Sequence, residues 1–432
     1  MSILNVNKIN PVGGGSTITI AGIASVTSSV TAPSFVGAVT GNVTGNVTGN
    51  VTGNVTGDAT GLSGNPSINT SGIVTATSFV PTVGQLSHRN LIINGGMTVK
   101  QRADLTMTTT STYSLDRWRA AVGSSFNWSS ATVTQSTTSP DEFSKSLKVD
   151  IASTNTPTGS QNGLIQTKIE GQDLQQLAYG TSSAKQCTLS FYVRSNKTGT
   201  YCVQIANTAN TKYVLFEYTI NSADTWERKS VTFSGNTANT LNNDNALCFD
   251  VNFHLATGSD DHVSATSTWT TYSGGSYRST SNQVNLFDNA SNEWYLTGCQ
   301  LEVGSVTTPF EHRSYGDELM RCMRYYETNN YTTYAKNTDG SITSYWSTIT
   351  SNDSNTLVVS TGIVYKVGKR ASPTVTLYNS ANTTTANRVN AQGTERTVTA
   401  TYGGPNALTR IYVSGASSGN YVTYNWEASA EL

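Results

Sequence analysis

Aromatic side chains spaced by small polar residues are the best candidates in this sequence for contacting a ligand. The stretch 264–281 reads SATSTWTTYSGGSYRSTS and places Trp269, Tyr272 and Tyr277 among serines, threonines and glycines. Aromatic rings can stack on the apolar face of a pyranose, and recognition loops share this mixture of rings and small polar residues. We therefore predict that these three residues contact a glycan. The alternative is that they fill a core or an interface between copies of the chain.

A second aromatic group lies in the C-terminal segment 329–432. Its members are Tyr331, Tyr334, Tyr345 and Trp346, and we predict that they also contact a glycan. Short apolar and β-branched runs recur through this segment, for example TLVVSTGIVY at 356–365 and YVTYNWEASAEL at 421–432. Six such runs predict a small C-terminal β-sandwich at the distal end of the molecule.

The acidic residues of the sequence show neither the spacing of a metal site nor an evident catalytic pair. Asp250, Asp260, Asp261 and His262 could suggest an oxygen-rich Ca²⁺ site, but they lack the ligand rhythm of a calcium loop, and we favour a solvated loop. Glycan cleavage generally needs two carboxylic acids facing one groove, and no such pair stands out among the scattered Asp and Glu residues. We therefore expect no metal, no cofactor and no catalytic residue.

The elements that would position the first aromatic group extend over 87–313. Runs such as QCTLSFYVRS (186–195), ALCFDVNFHL (246–255) and EWYLTGCQLEVG (293–304) alternate apolar and polar residues and are bounded by turn formers. QVNLFD (283–288) fits the same pattern. Strands at a spacing near ten residues predict a jelly-roll-like β-sandwich, with Trp118 and Trp294 in its core.

A short helix is predicted at 314–328, between the two β-rich segments. Ser314 and Asp317 form a capping signal, and a helix of about twelve residues would follow them. Leu319, Cys322, Met323 and Tyr326 would form its apolar stripe. We expect this stripe to pack against the sandwich or about an axis shared by several copies.

A tetrapeptide repeat dominates the N-terminal part of the chain. Residues 37–61 read GAVTGNVTGNVTGNVTGNVTGDATG, in which a valine recurs at every fourth position (Val39, Val43, Val47, Val51 and Val55). This period is not helical, and one copy carries too few apolar groups to form a core. Several intertwined chains, most simply three, would bury the valines, so we predict a trimeric shaft and collar over 37–86. A flexible linker is the alternative.

Composition points to an extended β-protein with few charges. The 432 residues include only 12% charged side chains, and the net charge is −1, which gives no electrostatic reason to expect nucleic acid as a partner. The five cysteines form no CxxC pair, so we expect buried free thiols in a protein assembled in a reducing cytoplasm. No signal peptide or membrane span is recognisable, and residues 1–36 would suit attachment to a larger particle.

Several phrases resemble those of bacteriophage tail-fibre proteins, in particular fibres of phages that infect marine cyanobacteria. They are RNLIINGGMTVKQR (89–102) with YSLDRW (113–118), GCQLEVGSVTTPFEHRSYGDELMRCMRYYE (298–327), the repeat array, and the ending YNWEASAEL (424–432). The resemblance implies a homotrimeric fibre that is attached to the virion by its N-terminus. It also implies a sandwich similar to carbohydrate-binding modules, without a defined sugar or catalytic site.

The sequence therefore predicts an all-β, elongated homotrimeric fibre. We expect it to adhere to host surface glycan, such as lipopolysaccharide, without catalysing a reaction. Its partners would be two further copies of itself, a baseplate or other virion protein, and host polysaccharide, with no membrane insertion. Two alternatives stay open at this level. One is a purely structural fibre, adaptor or capsid decoration, and the other is a glycan-degrading tailspike.

Overall fold

The computed structural model describes most of the chain from Ser87 onward. The described residues are 87–128, 131–272, 277–329, 331–332, 335–336, 345–353, 356–379, 382–391, 394–415 and 421–432. The predicted attachment segment 1–36 and the predicted shaft 37–86, including its five valines, lie outside them. The described part is mostly antiparallel β-sheet, which confirms the all-β class. The trimeric fibre stays a prediction.

The first thirteen described strands form two sheets that pack face to face. Their bounds are β1 Leu105–Thr106, β2 Thr112–Leu115, β3 Trp118–Gly123, β4 Thr132–Ser136, β5 Ser146–Asp150, β6 Asn162–Glu170, β7 Cys187–Ser195, β8 Gly199–Asn207, β9 Lys212–Ile220, β10 Glu227–Phe233, β11 Leu247–Thr257, β12 Thr266–Thr271 and β13 Glu293–Val303. The six-stranded sheet has the order β1-β4-β5-β13-β7-β10, and the seven-stranded sheet has the order β12-β9-β8-β11-β6-β3-β2.

One hydrophobic core fills the space between the two sheets. Phe191 of the six-stranded sheet meets Phe253 of the seven-stranded sheet edge-on, with ring centroids 4.9 Å apart. Trp118 and Trp294 are fully buried in the same core, as predicted. The predicted β-sandwich is thus confirmed, since apolar residues on alternate positions of facing strands meet between the layers.

Two local predictions are wrong. QVNLFD (283–288) is not a strand, because the Asn285 side chain accepts a 2.9 Å hydrogen bond from the backbone N–H of Phe287 and starts the short 3₁₀ helix Leu286–Asp288. The predicted loop around Trp269 contains the strand β12, which pairs with β9 at the edge of the seven-stranded sheet. Its threonines favour extended backbone over a free loop.

Two of the phrases that resemble tail fibres, 89–102 and 298–327, pack against each other. The Asn90 side chain donates to the carbonyl of Cys299 at 2.9 Å and accepts from the N–H of Leu301 at 3.2 Å. A side chain at Gly95 would place its Cβ only 2.1 Å from the Cys299 carbonyl oxygen. Residue 95 must therefore be glycine for this close approach, which ties the start of the sandwich to its last strand, β13.

The helix α1, Tyr315–Met323, begins where the sequence predicts. The Ser314 hydroxyl accepts a 3.2 Å hydrogen bond from the N–H of Asp317. The helix has nine residues, fewer than the predicted twelve, because the chain extends again at Tyr326. Its buried face holds Cys322 and Met323 together with Glu318, which pairs with Arg313 at 3.5 Å. Leu319 of the predicted stripe is only half-buried.

The C-terminal strands form a separate β-structure with its own core. Their bounds are β14 Tyr326–Thr328, β15 Tyr331–Thr332, β16 Ala335–Lys336, β17 Tyr345–Asp353, β18 Thr356–Val364, β19 Thr374–Asn379, β20 Asn382–Ala386, β21 Arg388–Ala391, β22 Thr394–Gly403, β23 Ala407–Ser414 and β24 Tyr421–Ser429. The pairing order is β17-β18-β23-β22-β21-β24-β19-β20, with β14 also on β24. Because β17 pairs with β24 as well as with β18, this ladder closes on itself.

Two further predictions from the sequence concern the state of the cysteines and the membrane. All five cysteines are buried free thiols, as predicted. Burial raises the pKa of the Cys187 thiol to about 12, so this group is inert at neutral pH. Among the described residues, no helix is both long enough and apolar enough to cross a membrane.

Candidate binding face of the seven-stranded sheet

The central strand β11 has one apolar face and one polar face. Phe249, Val251 and Phe253 belong to the core between the sheets. Side chains alternate along a strand, so Asp250, Asn252 and His254 lie on the other face of the sheet. These three residues are nonetheless buried, with 7%, 7% and 1% of their surface exposed. The outer face of β11 is therefore polar and covered, whereas Cys202, Tyr213 and Leu215 of the neighbouring β8 and β9 form a small apolar cluster against Tyr272 and Tyr277.

A row of side-chain amides crosses this face from strand to strand. The Gln166 Nε2 group on β6 donates to Asn252 Oδ1 on β11 at 2.8 Å. The Asn252 Nδ2 group donates in turn to Gln204 Oε1 on β8 at 2.9 Å. Gln204 then donates to the backbone carbonyl of Tyr277, and Arg119 on β3 approaches Gln166 Oε1 at 3.5 Å. The strand register explains the row, because β3, β6, β11 and β8 bring these positions side by side.

The face also carries ionisable groups with unsatisfied atoms. Within the described residues, Asp250 Oδ1 and both ring nitrogens of His254 have no hydrogen-bond partner. Burial raises the pKa of Asp250 to about 6, against the opposing charges of Lys168 and Arg119. Burial and the nearby Arg278 lower the pKa of His254 to about 3. An unsatisfied buried polar atom is costly, so these atoms would gain from a ligand that supplies donors and acceptors.

Two predicted ligand contacts, Tyr272 and Tyr277, form the rim of this face. Their rings are stacked, with centroids 4.2 Å apart and an interplanar angle of 11°. Tyr277 also contacts Tyr213 at 5.9 Å and lies 4.7 Å from the Arg278 guanidinium, so it is held among three neighbours. Burial raises the pKa of Tyr272, and the charges of Tyr277 and Asp250 add to this effect.

The third predicted contact, Trp269, lies against the sandwich core. Its ring centroid is 5.4 Å from that of Phe249, 5.6 Å from that of Phe233 and 5.9 Å from that of Tyr179. Its indole N–H donates to the carbonyl of Ser234 at 2.9 Å. These contacts match the alternative that the sequence left open, in which the ring fills a core.

The acidic turn near this face is not the solvated loop that we favoured from the sequence. Asp261 is fully buried, and its carboxylate pairs with Arg278 Nη1 at 2.5 Å and accepts from Asn162 Nδ2 at 2.9 Å. Asp250 lies on the sheet face, whereas Asp260 is exposed. In the part of the chain that the structure describes, no three His, Cys, Asp or Glu side chains converge as metal ligands.

The remaining predicted contacts belong to the C-terminal segment. The structure describes only the backbone of Tyr331, in β15, and of Tyr345 and Trp346, in β17. Tyr334 lies outside the described residues. Glycan contact by these four residues therefore stays a prediction.

The groove over the polar face encloses about 210 Å³. Its lining combines the amide row, Asp250, His254 and Arg119 with the rings of Tyr272 and Tyr277. Asp250 is the only carboxylate among the described residues that line it. Chemically, this surface can exchange hydrogen bonds with hydroxyl groups and present an aromatic ring to an apolar patch.

Sequence reasoning missed the amide row. The signal was present, since Gln166 and Lys168 alternate with Ile165 and Ile169, just as Asp250, Asn252 and His254 alternate with aromatic and aliphatic residues. Such alternation is ordinary for a strand with one wet face. Nothing in the sequence indicates that the polar positions of four strands lie in register.

The comparisons with known proteins give only distant similarities. No family model matches the sequence, and no curated protein matches it. Solved structures similar to part of the chain include the enzymatically active domain of tailspike protein 4 of bacteriophage CBA120, with 12% identity and a TM-score of 0.27. That match covers 50% of this chain and 21% of the tailspike chain, so this chain spans about a fifth of the tailspike's length.

Two further similar structures are a putative sugar-binding protein and a carbohydrate-binding module. A putative sugar-binding protein of Bacteroides thetaiotaomicron has 14% identity and a TM-score of 0.29 over 50% of this chain and 100% of that chain. A family 11 carbohydrate-binding module of Clostridium thermocellum, in complex with a mixed-linked tetrasaccharide, has 11% identity and a TM-score of 0.23 over 49% and 100%. At these values, the matches assign neither a ligand nor an activity to this chain.

Proposed function

We propose that the chain binds glycan through the polar face of its seven-stranded sheet. The observation that carries the proposal is the amide row of Gln166, Asn252 and Gln204, which ends at the stacked Tyr272 and Tyr277. Sugars present many hydroxyl groups that both donate and accept hydrogen bonds. Side-chain amides can also act as donors and as acceptors. A ring at the rim complements the apolar face of a pyranose, as aromatic residues do in other recognition surfaces.

The same groove favours binding over hydrolysis. Glycoside hydrolysis generally uses two carboxyl groups about 5–9.5 Å apart, one on each side of the scissile bond. The described lining offers one, Asp250, which supports a site that holds a sugar without cleaving it. We therefore propose an adhesin and not an enzyme.

The sequence resemblance supplies the biological setting of this proposal. The chain would be a homotrimeric tail fibre of the virion, attached by its N-terminal segment, with the sandwich meeting the host surface. Three copies would present three grooves. Simultaneous binding by linked sites can raise the overall affinity by orders of magnitude without any new contact. A groove of modest size would then suffice for attachment.

The test is binding of the full chain to a panel of purified lipopolysaccharides from marine cyanobacteria, with Tyr272→Ala and Tyr402→Ala as a matched pair. Tyr402 is 55% exposed on β22 of the C-terminal β-structure, remote from the groove in sequence and fold. We expect saturable binding that Tyr272→Ala weakens about tenfold or more, a loss of about 1.4 kcal/mol, and that Tyr402→Ala leaves unchanged.

Each other outcome contradicts part of the proposal. Release of reducing sugar ends would identify a glycan-degrading spike. A folded chain that binds neither the lipopolysaccharides nor intact cells would leave a structural fibre. Binding that depends equally on both tyrosines would place the receptor site outside the groove.

A further inference from the structure

Arg119 lines the polar groove without a carboxylate partner among the described residues. Its Nη1 group reaches Gln166 Oε1 at 3.5 Å, which is a long contact with a neutral amide. The other arginine of the described lining, Arg278, already pairs with the buried carboxylate of Asp261. Arg119 is only partly buried at the β3 end of the amide row, so a ligand in the groove can reach its guanidinium.

Asp250, the carboxylate of the groove, forms no ion pair with the cations around it. Lys168 stands opposite Asp250 on the neighbouring strand β6, yet its ammonium donates to the carbonyl oxygen of Leu432 at 2.8 Å. The Oδ1 atom of Asp250 has no hydrogen-bond partner in the part of the chain that the structure describes. The groove therefore holds a cation and an acid that are both buried to some degree and both without a direct counter-charge.

Asp250 can lose its negative charge when an anion binds beside it. Burial already raises its pKa to about 6, and a second negative charge nearby disfavours the ionised form further. The protonated carboxyl group has an O–H to donate, whereas the ionised group can only accept. His254 and Tyr272 stay uncharged at neutral pH, since burial and Arg278 lower the pKa of His254 to about 3 and burial raises the pKa of Tyr272. With Asp250 protonated, no described residue of the lining opposes the charge of Arg119.

An acidic sugar fits these groups better than a neutral or a basic one. A sugar carboxylate can accept two parallel hydrogen bonds from a guanidinium group, which a single hydroxyl cannot do. A neutral sugar would desolvate Arg119 without supplying a counter-charge, and an amino sugar would bring a second cation beside it.

The length of the amide row sets the size of the ligand. Neighbouring strands lie about 4.8 Å apart, so the row from Arg119 on β3 to Gln204 on β8 extends over about 14 Å. A short oligosaccharide with its acidic residue at the β3 end matches this length. Its remaining hydroxyl groups would then meet the side-chain amides.

We propose that the groove takes a glycan that contains an acidic sugar, whose carboxylate is held by Arg119 beside a protonated Asp250. The inference rests on the proposed glycan binding and names the class of sugar. Because Asp250 takes up a proton when the sugar binds, the affinity should rise as the pH falls through the pKa of Asp250. The sugar carboxylate stays ionised over this range, since an α-carboxyl group has a pKa of about 3.5.

The test compares binding of the full chain to purified lipopolysaccharides before and after chemical reduction of their carboxyl groups. Reduction converts each acidic sugar into a neutral alcohol and leaves the phosphate groups in place. Samples treated with a phosphatase form the second arm. We expect carboxyl reduction to weaken binding about tenfold or more, because a charge-assisted hydrogen-bond pair is lost, and dephosphorylation to change it little.

Arg119→Gln and Arg410→Gln form a matched pair of variants. Arg410 is exposed on β23 of the C-terminal β-structure. We expect Arg119→Gln to weaken binding of the native lipopolysaccharide about tenfold. Its binding to the carboxyl-reduced sample should equal that of the parent, which would show that the groove is still folded. Arg410→Gln should bind both samples as the parent does.

The pH dependence gives an independent readout of Asp250. Between pH 7 and pH 5, the parent should bind native lipopolysaccharide more tightly at the lower pH. Asp250→Asn should show no such change, because the amide does not titrate. Binding by the parent that stays constant or weakens as the pH falls would overturn the role given to Asp250.

The other outcomes separate this inference from the proposed function. Equal binding before and after carboxyl reduction would overturn the acidic sugar and leave glycan binding intact. Loss of binding on dephosphorylation alone would identify phosphate as the recognised anion. Carboxyl-dependent binding that Arg119→Gln does not weaken would place the acidic sugar outside the groove. A folded chain that binds no lipopolysaccharide would contradict the proposed function, and this inference with it.

Discussion

Arg102 donates a 2.7 Å hydrogen bond from Nη2 to Oε1 of Glu431, a residue 329 positions later in the chain. The other oxygen of Glu431 accepts from Arg117, and all three side chains are nearly buried. The two guanidinium groups lie over the rings of Tyr326 and Tyr325, 3.7 Å and 3.5 Å from the centroids. One carboxylate near the C-terminal end of the described chain therefore joins the last strand to the sandwich.

Glu431→Gln should destabilise the protein more than any change of an exposed charge. The substitution removes the carboxylate that pairs with Arg117 and leaves Arg102 with Asp116, at 3.3 Å, as its remaining partner. Breaking a buried ion pair on one side typically costs about 3–5 kcal/mol. The measurement is the free energy of unfolding from urea titration at pH 7. Asp141→Asn removes an exposed carboxylate and is the control, with an expected change below about 0.5 kcal/mol. Equal stability of the two variants would show that the Glu431 contacts are not maintained in solution.

The ionisations of Asp250 and His254 should change the free energy of unfolding with pH in opposite directions. In the parent protein the two contributions should largely cancel. The pKa of Asp250 is raised from 3.8 to about 6, so the stabilisation by its proton is full below pH 3.8 and is lost as the pH rises through 6. The pKa of His254 is lowered from 6.5 to about 3, so the stability from its neutral form is full above pH 6.5 and is lost as the pH falls toward 3. Between about pH 4 and 6, the two contributions have opposite slopes, each about 1.4 kcal/mol per pH unit.

Single substitutions separate the two slopes. We expect the stability of Asp250→Asn, relative to the parent, to fall as the pH is lowered from 6 to 4. His254→Gln should show the reverse and gain relative to the parent over the same range. Urea unfolding at several pH values gives both differences, and other titrating groups cancel in the comparison. Parallel curves for all three proteins would mean that the two groups are exposed to water in solution.

Trp269→Ala should act on folding and not on ligand binding. Removing a tryptophan from a core costs about 3–5 kcal/mol, and the half-buried Trp269 should lie near the lower end of this range. Tyr272→Ala should cost less, because its ring packs at the rim. Thermal unfolding followed by circular dichroism compares them. A Trp269→Ala variant with parental stability and lost glycan binding would restore Trp269 as a ligand contact.

Much of the fold could be predicted because apolar alternation and turn residues are local signals. The runs at 186–195, 246–255 and 293–304 correspond to β7, β11 and β13, and the Ser314 cap marks the start of α1. The error at 283–288 arose because one Asn285 hydrogen bond overrides a pattern that suits a strand. This hydrogen bond favours a short 3₁₀ helix over an extended strand, and residue composition alone does not decide which of the two forms.

The candidate site was harder to predict because it depends on register. Tyr272 and Tyr277 could be selected by type, but their stacking depends on how the chain returns over β8. Gln166, Gln204 and Asn252 are far apart in sequence and are joined only by the pairing of β6, β11 and β8. A shift of one residue in any pair would point an amide into the core instead, and sequence patterning does not fix which residues face each other.

Asn252→Leu tests whether the amide row serves the ligand or only the sheet. The leucine has a similar size but leaves the Gln166 N–H and the Gln204 carbonyl without their partner, which costs about 1–3 kcal/mol when the groups are buried. Asn243→Leu makes the same substitution at an exposed position and should change the free energy of unfolding little. Both variants should then be assayed for lipopolysaccharide binding under conditions where they are fully folded. We expect only Asn252→Leu to bind lipopolysaccharide more weakly, because the Gln166 and Gln204 amides would lose the orientation in which they meet a sugar. If Asn252→Leu is destabilised but keeps the parental affinity, the amide row serves the stability of the sheet alone.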